Sequence, residues 1–104
     1  MSKSLTTTKA RRVIHPGEIL KEDLADAGVS INELARAIRV PINRLSRIIR
    51  GERGITADTA LRLAAFWGTS ARYWMNLQTL YELDVAQSEN PTIADDVRRF
   101  KRAS

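Results

Sequence analysis

The apolar positions of this chain fall into short runs with helical rather than strand spacing. Ile19, Leu20 and Leu24 mark one side of a first helix. Pro16 suits its first helical position, Glu18 sits near its positive end, and Gly28 stops it. Ile31, Leu34, Ala35 and Ile38 supply the buried stripe of a second helix, and Ser30 with Glu33 ahead of them forms an S-x-x-E capping box. Val40 precedes a proline and is pushed out of helical conformation, while Pro41 is preset for a new first turn. The break between the second and third helices is therefore encoded at this dipeptide.

The third helix runs to about Arg50, with Gly51 placed to cap it in the left-handed conformation. At roughly 100° per residue, Ile42, Leu45, Ile48 and Ile49 share one sector, and the core is the favoured place for Ile42. Asn43, Ser46, Arg47 and Arg50 fall in the opposite sector, and Arg44 lies on a flank. Gly54 belongs to the next loop. Thr56 caps a fourth helix carrying Ala60, Leu61, Ala64 and Trp67, which Gly68 stops. Ser70 opens a fifth, carrying Tyr73, Trp74, Leu77, Leu80, Tyr81 and Leu83. Asn90 and Pro91 interrupt it, and residues 92–102 are expected to form a weaker sixth helix.

The fold class is thus all-α, with five main helices and a short sixth. Residues 1–13, rich in Ser, Thr and Lys without apolar periodicity, read as a flexible basic arm; residues 14–86 form the domain, and residues 87–104 a C-terminal extension.

Charge sharpens the picture. The chain has 104 residues, 17 Lys and Arg against 12 Asp and Glu, and a formal net charge of +5. Six arginines (36, 39, 44, 47, 50 and 53) and a single acid, Glu52, lie between positions 36 and 53. The basic face therefore coincides with the second and third helices and suits a polyanion. Further basic clusters stand at both ends, whereas residues 81–96 hold acids and no Lys or Arg. The absence of cysteine excludes a disulfide framework or a thiolate metal site and fits a reducing cytoplasm. No apolar run approaches the roughly 18 residues of a membrane span and no signal-peptide segment follows the basic N-terminus, so a cytoplasmic, membrane-independent protein is expected.

A supporting helix, a tight turn and a second helix with an apolar inner face and a polar outer face are the parts of a helix-turn-helix, and residues 31–50 supply them. Arginines at helical spacing alone are usually a solvated face; here a capping box, a proline-defined turn and a buried stripe agree in register. Arg pairs with guanine O6 and N7, Asn with adenine N6 and N7, and Ser reaches base or phosphate. Asn43, Ser46 and Arg47 are accordingly expected at bases of double-stranded DNA, and Arg44, Arg50, Arg53 and Thr56 at phosphates. No nucleophile with a base, no paired carboxylates in a cleft motif and no phosphate-cradling glycine loop is present, so no enzyme and no cofactor is expected. His15, the lone histidine, reads as a helix-entry residue rather than a metal ligand.

The stretch from Leu34 to Pro41 and on through Leu45-Ser46-Arg47-Ile48-Ile49-Arg50-Gly51 resembles the Xre and phage-repressor helix-turn-helix family. His15-Pro16-Gly17-Glu18, Leu61-Arg62-Leu63-Ala64 and Tyr73-Trp74-Met75-Asn76-Leu77-Gln78 narrow the resemblance to HigA-type antitoxins. It implies a homodimer that represses its own operon and neutralises a HigB-type toxin, a small ribosome-associated endoribonuclease of the RelE fold. A stand-alone repressor without a toxin partner is the alternative. One departure stands out: the turn position usually held by glycine is Arg39 here, and a left-handed residue other than glycine costs about 1 kcal/mol.

Trp67 and Trp74, at helical spacing with Leu77 and Tyr81, read first as core. Yet Tyr73, Trp74, Leu77, Leu80 and Tyr81 spread around more of the fifth helix than one stripe requires, and the surplus is assigned to a two-fold dimer contact. A dimer sets two recognition helices about 34 Å apart, one turn of DNA, and calls for a palindromic operator. The acids of the first helix (Glu18, Glu22, Asp23, Asp26) and those of residues 81–96 form a surface suited to a basic toxin.

Overall fold

A computed structural model of the protein describes residues 12–102. Five α-helices follow one another, α1 Pro16–Ala27, α2 Ile31–Ile38, α3 Ile42–Ile49, α4 Ala57–Trp67 and α5 Ala71–Glu89, and a 3-10 turn, Ile93–Asp96, comes after them. Among the described residues there is no strand, so the all-α expectation holds. The expected sixth helix is corrected to that single turn. Beyond it the chain is extended, because Ile93, Val97 and Phe100 are exposed and find no surface on which to bury a helical stripe.

Each helix starts and stops where local chemistry dictates. Ser30 accepts the backbone N–H of Glu33 at 3.0 Å and opens α2, and Ser70 accepts that of Tyr73 at 3.0 Å and opens α5. The reciprocal capping box stands one helix earlier than expected. Glu18 accepts the backbone N–H of His15 at 3.2 Å, while His15 Nδ1 takes the N–H of Gly17 at 2.8 Å. Gly28 and Gly68 end α1 and α4 in the left-handed conformation, with φ of 69° and 74°.

The core joins all five helices: Leu20, Leu34, Leu45, Ile48, Ala60, Leu63 and Trp74 are fully buried. α5 packs along α4 and α1, while α3 is held between α1 and α2. On α4, Leu63 turns inward and Leu61 outward, 63% exposed, so the stripe expected there is rotated. Residues 1–11, most of the expected N-terminal arm, lie outside the described residues. Where the described chain begins, Arg12 is paired to Glu18 at 2.9 Å. No helix among the described residues is long and apolar enough to cross a membrane.

Candidate nucleic-acid interface

α3 is anchored from beneath by Leu45 and Ile48, both without exposed surface. Its last turn also rests directly on the start of α1. Gly17 lies so close to the Ile48 carbonyl that any Cβ there would collide with it. The same carbonyl accepts the N–H of Gly51 at 3.0 Å, and Gly51, with φ 76°, carries the chain out of the helix.

The turn that sets the angle of α3 against α2 keeps its left-handed geometry without glycine. Arg39 has φ 59° and ψ 52°, and among the described residues it alone, apart from glycines, has positive φ. The N–H of Arg39 reaches Arg36 O at 3.3 Å and that of Val40 reaches Ala35 O at 3.1 Å. These bonds, with the burial of Val40, hold the strained residue in place. Pro41, expected at the first helical position, is instead the N-cap, with ψ of 141°; its carbonyl accepts the N–H of Arg44 at 3.0 Å.

Asn43, Arg47 and Arg50 are exposed along the outer side of α3, and Ser46 is half-buried among them. Ile42 joins this side: at 41% exposure it is not the core residue expected, because it stands at the first turn of α3 while Leu45 and Ile48 take the buried positions of that helix. An apolar side chain there suits a thymine methyl.

The arginines differ in what holds them. Arg44 bonds Asp58 at 2.7 Å; Asp58 also accepts from Arg62 at 3.0 Å, and Arg62 reaches the Ile38 carbonyl at 2.9 Å. One continuous chain of polar contacts therefore ties α3 to α4 and to the C-terminal end of α2. Its two guanidinium groups hold the Asp58 carboxyl below the usual carboxylate range. Arg44, expected at phosphate, is thus held within the fold by Asp58 and ties α3 to α4. Arg50 grips Glu52 through both arms of its fork, at 3.0 and 3.2 Å, and Arg47 stands 4.0 Å from the same carboxylate. The pairing with Arg50 pushes the Glu52 pKa down and raises that of Arg50.

Arg53 is half-buried in the loop between α3 and α4, where its backbone is hydrogen-bonded to His15. Thr56 caps α4: its hydroxyl oxygen accepts the N–H of Thr59 at 3.4 Å and meets the Thr59 hydroxyl at 3.3 Å. That oxygen is thereby engaged within the fold.

Several of these positioning groups escaped sequence reasoning. His15 was expected at a helix entry, but its reach was not: the ring touches the Gly17 N–H, the Arg53 backbone and, edge-on with centroids 4.7 Å apart, Tyr81. Gln78 is buried in α5, and its side-chain carbonyl accepts the N–H of Ile55 at 2.8 Å. A polar residue flanked by Leu77 and Leu80 was its one signal in the sequence. For Arg62 the signal was the Asp58 four residues before it.

The residues assigned to a dimer contact do not stay together. Trp74 has no exposed surface and belongs to the chain's own core, so it is removed from any direct contact with a second copy. Tyr73 and Leu80 are 42% and 53% exposed, while Leu77 and Tyr81 are half-buried. Among the described residues no cluster of His, Asp or Glu is arranged to hold a metal ion.

Comparison with known proteins agrees with this geometry. The helix-turn-helix family model HTH_3 matches residues 20–74. Virulence-associated protein I of Dichelobacter nodosus is 48% identical over 81 residues, covering 77% of this chain and 75% of its own. The structure of an addiction module antidote protein of the HigA family from Coxiella burnetii superimposes with a TM-score of 0.82 at 45% identity, covering 86% of this chain and 99% of the other. That of Pseudomonas aeruginosa antitoxin HigA with the higBA promoter gives a TM-score of 0.79 at 42% identity, covering 85% and 97%.

Proposed function

The chain belongs to the Xre-like helix-turn-helix family HTH_3 and stands among HigA-type antitoxins within it, and on that premise we propose that it is the antitoxin of a type II toxin-antitoxin module. It binds palindromic operator DNA as a homodimer, represses its own operon and neutralises a HigB-type endoribonuclease toxin. It acts by binding and not by catalysis.

The observation that carries this reading is the outer side of α3, where Asn43, Ser46, Arg47 and Arg50 stand over a fully buried Leu45 and Ile48. A helix fixed from below, with Arg and Asn outward, is what the major groove admits. Arg47 and Asn43 read bases, Ser46 supports them, and Arg50 and Arg53 neutralise phosphates. Tyr73 and Leu80 supply the exposed part of the dimer contact, with Leu77 and Tyr81 beneath.

The test is fluorescence anisotropy of the chain with its own promoter and with a scrambled duplex, at stated salt. Arg47→Ala is expected to cost about 1–3 kcal/mol and to relax preference at one base pair, whereas Arg53→Ala weakens all duplexes alike. Equal loss on every sequence for Arg47→Ala would overturn its base-reading role. The toxin half is tested by co-expressing the adjacent basic reading frame. Failure of that product to co-purify would leave a stand-alone repressor.

A further inference from the structure

α1 ends in an unfavourable electrostatic arrangement. Glu22, Asp23 and Asp26 crowd its C-terminal half, where the peptide dipoles already present their negative end, and its last turn contains no basic residue. Among the described residues neither Asp23 nor Asp26 has a hydrogen-bond or ion-pair partner. Asp23 is half-buried, and its carboxyl is pushed above the usual range by that burial and then by the Asp26 and Glu22 charges. Placement of this kind costs stability unless a cation is brought to it.

Beside these acids the fold leaves a cavity of about 450 Å³, lined by Asp23, Asp26 and Ala27 from the end of α1 together with Trp67, Thr69, Tyr73 and Trp74. Tyr73 is 42% exposed and Trp67 half-buried, so aromatic surface is accessible in the same cavity as the carboxylates. Carboxylates and aromatic side chains lining one cavity suit a planar, weakly hydrated cation, which a guanidinium satisfies and a strongly hydrated ammonium satisfies less well. None of the residues assigned to DNA lines the cavity, and of those assigned to the dimer contact Tyr73 and the buried Trp74 do.

We propose that this cavity between the end of α1 and the start of α5 is a docking pocket for an arginine side chain of the protein partner. The proposal rests on the antitoxin reading for the partner's identity, but the pocket's chemistry can be tested apart from it. The full chain, labelled with nitrogen-15, is titrated with N-acetyl-argininamide and with the uncharged citrulline analogue. Saturable shifts of the Trp67 and Trp74 indole N–H signals and of the Asp23, Asp26 and Ala27 amides are expected for the arginine compound, at least tenfold weaker for citrulline, and lost in D23N/D26N. No arginine-dependent shift at these positions overturns the pocket, whether or not a toxin binds. In the second arm, D23N/D26N is expected to weaken binding of the co-expressed toxin at least tenfold while changing operator affinity less than twofold. Undiminished toxin binding by that variant overturns the docking role. If the wild-type chain binds no toxin at all, the antitoxin reading fails and the docking role with it, and the titration still decides whether the pocket selects guanidinium.

Discussion

The side-chain carbonyl of Gln78 accepts the backbone N–H of Ile55 at 2.8 Å, across 23 residues of sequence. Through this bond α5 fixes the loop that leaves the recognition helix, and the Gln78 amide in turn donates to Glu82 at 2.8 Å. Gln78→Leu keeps the apolar bulk but leaves the buried Ile55 N–H without an acceptor, which is expected to cost about 1–3 kcal/mol in urea denaturation. Gly54→Ala is expected to act at the same place, since its Cβ would fall 2.7 Å from Gln78 Nε2. Unchanged stability in both variants would show that the loop is held by other means.

His15 is buried, and burial lowers its pKa from 6.5 despite the opposing effects of Glu18 and of the Arg53 backbone. The neutral ring is also the form whose Nδ1 can accept the Gly17 N–H. The unfolded chain therefore binds a proton that the folded chain resists. Stability from this group is complete above pH 6.5 and declines as pH falls through that value toward the lower folded pKa. His15→Asn retains a good N-cap acceptor and removes the titration. Its unfolding free energy is expected to be flatter than that of the wild type between pH 7 and 5.5 (roughly the window set by an imidazole). Parallel curves would refute the assignment.

Gly17 is required by backbone contact and not by conformation. A methyl group there meets the Ile48 carbonyl, so α1 and α3 must separate. Gly17→Ala is expected to lose about 1–3 kcal/mol of stability, and operator affinity with it even where the chain is still folded, because the shift falls on the recognition helix. Gly28→Ala is the control: it strains a positive φ but meets nothing within 4 Å, so operator affinity of the folded protein should be retained.

Helix order, the helix-turn-helix break and the outward set on α3 were legible because each depends on local pattern: a cap, an X-Pro step, or a stripe with helical period. The errors arose where tertiary contacts decide. Phasing put Ile42 inside, but at the first turn of α3 it is 41% exposed, and Leu45 and Ile48 take the buried positions of that helix. The same phasing left Arg44 on a flank without revealing Asp58, fourteen residues on, as its partner. Among the apolar residues of α5 assigned to a second copy, only Trp74 is taken up wholly by the chain's own core, where it has no exposed surface. Gln78 gave only the weak signal of a polar residue among leucines, since the role of a buried glutamine is defined by its distant partner, here the Ile55 N–H.

Arg39 carries a cost that the turn tolerates. At φ 59° and ψ 52°, replacing it by glycine relieves the contact of Cβ with the following carbonyl, and Arg39→Gly is expected to gain about 1 kcal/mol in thermal unfolding. A β-branched residue worsens that contact, so Arg39→Val should lose at least as much. If both variants lose stability, the arginine side chain must contribute more than its backbone strain removes.

Glu52 lies against two of the arginines that the proposed function needs. It pairs with Arg50 at 3.0 and 3.2 Å and stands 4.0 Å from Arg47, so a phosphate that engages Arg50 must displace a carboxylate. All three side chains are about half exposed, at 57%, 51% and 53% for Arg50, Glu52 and Arg47, so water screens the pairing and exchange is easy. What Glu52 chiefly does is place a negative charge beside DNA. Glu52→Gln keeps the shape and removes that charge, and is expected to tighten binding to operator and to scrambled duplex alike by about three- to tenfold at low salt, converging with the wild type as salt rises. Because both duplexes gain, the ratio between them is predicted to stay constant. A gain confined to the operator would mean instead that Glu52 restrains Arg47 at a base, and the carboxylate would then act on specificity and not only on the general attraction to phosphate.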